Sequence, residues 1–237
     1  MKRLVCLIVS VAAGLVCGLY LKADETPAST ADPAATSLLA DARAARALYQ
    51  NFPGFSADIE VNLDGRASRG HVEISDKGKA ALTLDNAEAA KWAKNTLESI
   101  IAHRLSSGPD EETPCAFADT DEHHPLGRAI RVLNDEFHSS YRIRDRQVIV
   151  VNRHVPGARF TITVLKNIVT KENKFLPASY VVNTWDAKTD ALRSSEAHHQ
   201  TWQRIGSYDL PKETLSVKAA ANKQESRSLQ LSHIRLH

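Results

Sequence analysis

The sequence predicts an α+β fold in which one wide, curved antiparallel sheet packs with two amphipathic helices. Two long segments place apolar residues at helical spacing, whereas most of the rest alternates apolar and polar residues with a period of two. Turn signals separate the alternating segments into about ten or eleven strands. Because a sheet of that width must curl or close, we expect a half-barrel or an open barrel.

The composition is that of a globular chain. The 237 residues are 43% hydrophobic and 24% charged, which excludes wholesale disorder. Lys and Arg number 30 against 28 Asp and Glu, so the charge gives no reason to expect a nucleic-acid partner. Three cysteines are too few for a disulfide scaffold.

The N-terminus has the pattern of an export signal. Lys2 and Arg3 precede an uncharged run from Leu4 to Leu21, and a polar stretch follows. We expect residues 1–23 to be a cleaved signal peptide, and thus an extracytoplasmic, periplasmic or secreted protein. The run is also long enough for an uncleaved membrane anchor, and lipidation at Cys17 is a third alternative. Residues 24–35 read as a linker, and residues 36–237 as a single domain.

The first predicted helix begins after Thr36 or Ser37 and ends before Pro53. Its apolar stripe is Leu38, Ala42, Ala45, Tyr49 and Phe52. Three strands with short turns follow, of which the alternation in Phe55–Leu63 is the clearest in the chain.

A second helix is predicted over residues 87–105, with Asp85 and Glu88 resembling a capping box. The polar stretch 106–125 reads as a long loop. Only strands are predicted beyond it. They are residues 128–133, 138–144, 147–154, 158–168, 176–186, 191–205, 213–220 and 227–236.

A basic cluster is the main candidate site. Arg142, Arg144 and Arg146 have a period of two and should share a strand face, where hairpin neighbours could join them. Such a row could hold a phosphate, a carboxylate or an anionic headgroup, or be a solvated outer face. The candidate ligand-binding residues are Arg142, Arg144, Arg146, Arg153, His154, Arg159, Trp185 and Trp202, the two tryptophans as core or cavity-lining residues.

No residue pattern predicts catalysis, a metal or a cofactor. His123 and His124 lie in the acidic loop without the helical spacing of a metal site, and His198 and His199 should point to opposite faces of their strand. Cys115 lacks a basic neighbour that would lower its thiol pKa. Glycine fingerprints for phosphate or dinucleotide binding are absent from the sequence.

Three segments resemble an uncharacterised bacterial family, domain of unknown function 3386. They are ALYQNFPGFSADIEVNLDG (47–65), ESIIAHR (98–104) and SSYRIRDRQVIVVNRHVPGARFTITV (139–164), and the resemblance spans Ala47 to Tyr208. At the level of fold, the chain is also similar to half-barrels of the lipoprotein-carrier type, in which a curved sheet cups helices and holds acyl chains. This second resemblance is an analogy.

Together these features imply an exported protein that binds a lipid or another hydrophobic molecule, and they favour a binding protein over an enzyme. A structural or interaction module of the envelope with a filled core is the alternative, and a hydrolase of unknown substrate is a second. Contact with the membrane is expected through the N-terminal segment, whether that segment is a signal peptide or an anchor. The sequence leaves the oligomeric state open.

Overall fold

The computed structural model describes residues 30–105 and 113–237. The expected signal peptide or anchor lies outside these residues, as does the first half of the expected linker, residues 24–29. The helices are α1 (Pro33–Ala44) and α2 (Ala87–Ala102). The strands are β1 (Phe55–Leu63), β2 (Arg66–Ile74), β3 (Ala80–Leu84), β4 (Cys115–Phe117), β5 (Arg128–Val132), β6 (Ser140–Arg144), β7 (Gln147–Val155), β8 (Ala158–Val169), β9 (Phe175–Asp186), β10 (Leu192–Ile205), β11 (Tyr208–Ala220) and β12 (Lys223–Leu236).

All twelve strands form one open antiparallel sheet, which confirms the predicted fold class. The strand order is β3-β2-β1-β12-β11-β10-β9-β8-β7-β6-β5-β4, so β3 and β4 are its two edges and the sheet does not close. Among the strands of the described residues, the pairing of β1 with β12 is the one that joins distant parts of the chain. Every other pair is consecutive, as hairpin turns produce.

The sheet must be strongly curved. Laid flat, twelve strands would separate β3 from β4 by about 50 Å, at roughly 4.8 Å per strand. Yet α2 packs near the β3 edge and α1 near the β4 edge, and the segments that follow the two helices are hydrogen-bonded to each other. The chain just after α1 bonds to the end of α2, where the Tyr49 amide donates to the Arg104 carbonyl at 2.6 Å. The helices therefore lie within the curve.

Helix α1 begins earlier and ends earlier than the sequence predicted. Asp32 caps it, accepting from the amides of the second and third residues that follow, so Pro33 opens the helix instead of ending the linker. The chain leaves the helix at Ala45 because the Ala45 carbonyl accepts from the amide of Phe175, at the start of β9, at 2.9 Å. The apolar spacing continues to Phe52, so the sequence pattern does not show that the helix ends at Ala44.

Three smaller corrections concern a helix cap, the start of one strand and a strand that was not predicted. Asn86, not Asp85, caps α2, with its side-chain oxygen accepting from two amides of the first turn. Strand β11 starts at Tyr208, five residues before the predicted start. The short edge strand β4 lies within the predicted loop and was missed.

The hydrophobic core is divided into two clusters. One joins α2 to β1, β2 and β12, with Phe55, Ile74 and Leu97 fully buried. The other joins α1 to β4, β5 and β6 around Leu39 and Ile130. Apart from Ile205 at the end of β10, neither cluster draws on β8, β9 or β10, so the middle of the sheet lacks a packed layer over it in the described part of the chain.

Candidate functional site

A cavity of about 620 Å³ occupies the gap between the two core clusters. The C-terminal ends of α1 and α2 form one side of it, and the inner face of β6 to β10 forms the other. The floor of the cavity is apolar. It consists of Val148, Val151, Phe160, Ile162, Val164 and Val182.

Simple alternation along β8 and β9 produces this floor. Phe160, Ile162 and Val164 point into the cavity, and the intervening residues 159, 161 and 163 point outward. Their partner on β9, Val182, faces the same side. All four are only half-buried, because no helix packs on them. The sequence predicted the alternation, but not that the inward residues would lack a covering layer.

The cavity wall is positively charged. Among the described residues that line it there is no Asp or Glu, whereas five arginines supply positive charge and two histidines also line it. These are Arg43, Arg46, Arg104, Arg146, Arg153, His103 and His198. An apolar floor with a cationic wall suits a molecule with a hydrophobic part and an anionic part.

Two of the arginines predicted from sequence reach this cavity. Arg153 lies on the inner face of β7, where its Nη2 donates to the Tyr141 hydroxyl at 3.2 Å. Its Nε is buried without a partner in the described residues. Arg146 lies in the β6–β7 turn, where Asp145 and Arg146 both have positive φ, and it lines the cavity from there.

Arg142 and Arg144 face away from the cavity. Arg142 forms an ion pair with Asp119 at 2.8 Å, and Arg144 bonds to the Pro125 carbonyl oxygen. The expectation that Arg142, Arg144 and Arg146 share one strand face is wrong, because β6 ends at Arg144 and the turn redirects Arg146.

His154, Arg159 and Trp185 also lie on the outer face. His154 is exposed and pairs across the hairpin with Arg159. The Arg159 guanidinium lies 5.0 Å from the Trp185 ring centroid and 3.3 Å from a carboxylate oxygen of Asp190. The predicted basic cluster is thus divided between the two faces of the sheet.

Trp202 lies next to two residues that line the cavity, Pro177 and Arg104. Its indole Nε1 donates to the Pro177 carbonyl at 3.1 Å, and the Arg104 guanidinium lies 5.7 Å from its ring centroid. The indole therefore lies beside the buried Arg104 side chain, which lines the cavity.

A polar cluster at the β9–β10 side of the cavity was missed by sequence reasoning. The rings of Tyr180 and His198 stack with centroids 4.5 Å apart, and Gln200 Nε2 lies 3.4 Å from the Tyr180 hydroxyl. Burial raises the pKa of Tyr180 to about 12, so its hydroxyl is neutral near pH 7. Burial lowers the pKa of His198, although the charge of Glu196 acts in the opposite direction on this histidine.

Arg104 is the second feature that the sequence did not reveal. It follows α2 and is 7% exposed. Burial, and then the charge of Arg46, lower its pKa to about 10, so it remains a cation at neutral pH. The signal in the sequence was weak, since an arginine at a helix end is usually solvated.

Other chemistry finds little support in residues 30–105 and 113–237. These residues contain no group of three or more His, Cys, Asp or Glu side chains placed to hold a metal. His124 bonds locally to the Leu126 amide at 3.1 Å. Neither helix in this part of the chain is both long and apolar enough to cross a membrane.

Solved structures with a similar chain path share little sequence with this protein. A LolA superfamily protein from Nitrosomonas europaea aligns with a TM-score of 0.39 and 13% identity, covering 89% of this chain and 94% of the other. A putative outer membrane lipoprotein-sorting protein domain from Vibrio parahaemolyticus aligns with a TM-score of 0.38 and 11% identity, covering 85% and 92%.

A search of the curated proteins found no match. The sequence does match the model of one family over residues 30–236, which is nearly the whole described chain. That family carries the description "Protein of unknown function (DUF3386)", and it is the one that the three segments resembled. The chain belongs to the DUF3386 family.

Proposed function

We propose that this protein binds a lipid or another hydrophobic molecule in the cell envelope without transforming it. The observation that carries the proposal is the open cavity over β8 and β9, whose floor is apolar and lacks a covering layer. Its volume lies within the range of about 300–1,000 Å³ that is usual for small-molecule sites.

The cavity is too large to be a packing defect. Its 620 Å³ corresponds to roughly twenty water molecules at about 30 Å³ each. Water against Phe160, Ile162 and Val182 is unfavourable, and each methylene of a ligand that displaces it contributes about 0.8 kcal/mol. An acyl or isoprenoid chain therefore gains affinity with every carbon that lies on the floor.

The two alternatives receive less support. A structural module predicts a filled core, whereas the core here is interrupted at β8 to β10. A hydrolase needs an activated nucleophile beside a concave site. Ser179 Oγ lies 3.0 Å from His199 Nδ1, but this pair is exposed on the outer face, away from the cavity.

The envelope location rests on the N-terminal sequence. A basic start, an apolar run and a polar stretch are typical of export signals. Residues 1–23 would direct the chain out of the cytoplasm, and contact with the membrane would occur through this segment if it stays attached.

Uptake of a fluorescent fatty acid tests the proposal. The inward substitution Ile162→Trp places a large ring over the floor and should abolish uptake. Thr163→Trp adds the same ring on the outer face of the same strand and should leave uptake unchanged. Failure of the unsubstituted protein to take up the probe, or equal uptake by both variants, would contradict hydrophobic binding in this cavity.

A further inference from the structure

Arg104 is a buried cation without a carboxylate partner among the described residues. It is 7% exposed, and it forms no ion pair in this part of the chain. A guanidinium has five N–H donors, yet its one hydrogen bond here is a long contact of 3.4 Å from Nη1 to the Ala47 carbonyl. Its Nε is buried with no partner at all.

Burial of the Arg104 guanidinium destabilises the fold unless another group accepts its hydrogen bonds. Buried charges in proteins are generally paired or hydrogen-bonded, because removing an ion from water is strongly unfavourable. The Trp202 ring, 5.7 Å away, supplies only the weak attraction of a cation for an aromatic face. Arg104 is one of the residues that line the cavity.

The surroundings of Arg104 favour an anion. The described lining of the cavity contains no carboxylate, and Arg153 adds a second guanidinium with an unpartnered Nε across the floor. Tyr180 provides a neutral hydroxyl that accepts from Gln200, which leaves its own proton free to donate.

A purely structural role does not account for these contacts. The backbone of Arg104 already joins α2 to the segment after α1, because its carbonyl accepts from the Tyr49 amide. That link needs no guanidinium. An apolar side chain of similar length would fill the same space without the cost of a buried charge.

We propose that the cavity binds an amphiphile whose single anionic head group, a carboxylate or a phosphate, hydrogen-bonds to Arg104 while its tail lies on the floor formed by Phe160, Ile162 and Val182. This inference rests on the proposed function and adds the head-group chemistry to it. The two oxygens of either group match the fork of a guanidinium.

Isothermal titration of the full chain with three probes of twelve carbons each tests this inference. The probes are laurate, dodecyl phosphate and dodecanol, each kept below the concentration at which it forms micelles or separates from solution. At least one anionic probe should bind on the order of ten- to a hundredfold more tightly than dodecanol, as expected for hydrogen bonds to a charged group.

Two matched variants assign the preference to one residue. Arg104→Gln should remove the preference for the anionic probe and leave dodecanol binding unchanged. Arg144→Gln removes a guanidinium from the outer face and should preserve the preference. If Arg104→Gln does not fold, as judged by circular dichroism, Arg104→Lys takes its place; it keeps the charge but removes the planar fork and should weaken the preference.

The outcomes separate the two proposals. Equal affinity for all three probes, or a preference that survives Arg104→Gln, overturns the head-group assignment and leaves hydrophobic binding intact. Absence of binding by every probe overturns both. Inorganic phosphate that binds as tightly as dodecyl phosphate overturns the amphiphile, because the tail would then contribute nothing.

Discussion

Truncation of one isoleucine on the cavity floor and of one in the packed core should have very different effects on stability. Ile162 lies on β8, is half-buried and faces the cavity. Ile130 lies on β5, is 0% exposed and packs in the cluster beneath α1. Both are central residues of antiparallel strands, so Ile162→Ala and Ile130→Ala remove the same atoms from similar backbone.

The expected magnitudes follow from this burial. A fully buried isoleucine loses about 2–5 kcal/mol on truncation to alanine, because the lost transfer energy is joined by the cost of the cavity created. At Ile162 the three carbons contribute at most about 2.4 kcal/mol, at roughly 0.8 kcal/mol each. Half-burial reduces this to about 1 kcal/mol, and no new cavity forms where one already exists.

Urea unfolding of the two variants beside the unsubstituted protein measures the difference directly. We expect Ile130→Ala to lower the free energy of unfolding at least twice as much as Ile162→Ala. Equal losses would refute the reasoning, since they would show that the β8 floor is as tightly packed in solution as the core under α1.

Three further predictions concern other parts of the fold. The hydrogen bond to Glu73 raises the pKa of His71 above its ordinary value, so Glu73→Gln should lower that pKa, as measured by NMR titration. The stabilisation from this pair should be present near pH 6 and lost as pH rises through the His71 pKa, as measured by thermal melts. Asp32→Ala should lower the free energy of unfolding by about 1 kcal/mol through loss of the α1 cap, measured by urea unfolding. Gly70→Ala should release β3 from β2, because the added Cβ would lie 1.7 Å from the Thr83 carbonyl oxygen; hydrogen exchange of β3 amides would speed up, and unchanged exchange would contradict the contact.

Much of the sheet could be predicted because its pairings are local. The alternation in Phe55–Leu63 and the Asp64-Gly65 turn specify the β1–β2 hairpin without reference to the rest of the chain. The same holds for β8, where Phe160 to Val164 alternate as observed. The turn signals between neighbouring strands then predict that consecutive strands pair in antiparallel orientation.

The end of α1 could not be predicted, because the cause lies far away in the sequence. The helical spacing continues past Ala45, but that residue bonds to Phe175, 130 positions later. The prediction that Arg146 shares a strand face with Arg142 and Arg144 was wrong for a different reason. A period of two holds only within a strand, and β6 ends at Arg144 before a turn with two residues at positive φ.

The candidate site was predicted only in part, because it depends on contacts between residues that are distant in the sequence. The apolar floor is a local pattern, whereas the cavity exists because α1 and α2 pack on the two flanks of the sheet and leave the middle open. Arg104 gains its significance from burial beside Trp202, which is a tertiary contact. Sequence spacing instead drew attention to Arg142 and Arg144, which lie on the outer face.

Native mass spectrometry of the protein purified from its own host, followed by lipid extraction, tests the central claim most directly. The account predicts a stoichiometric adduct that is released by organic solvent and proves to be an amphiphile with a carboxylate or phosphate group. A mass equal to that of the polypeptide alone, obtained under conditions that preserve non-covalent complexes, would contradict the claim that the cavity holds a lipid in the cell.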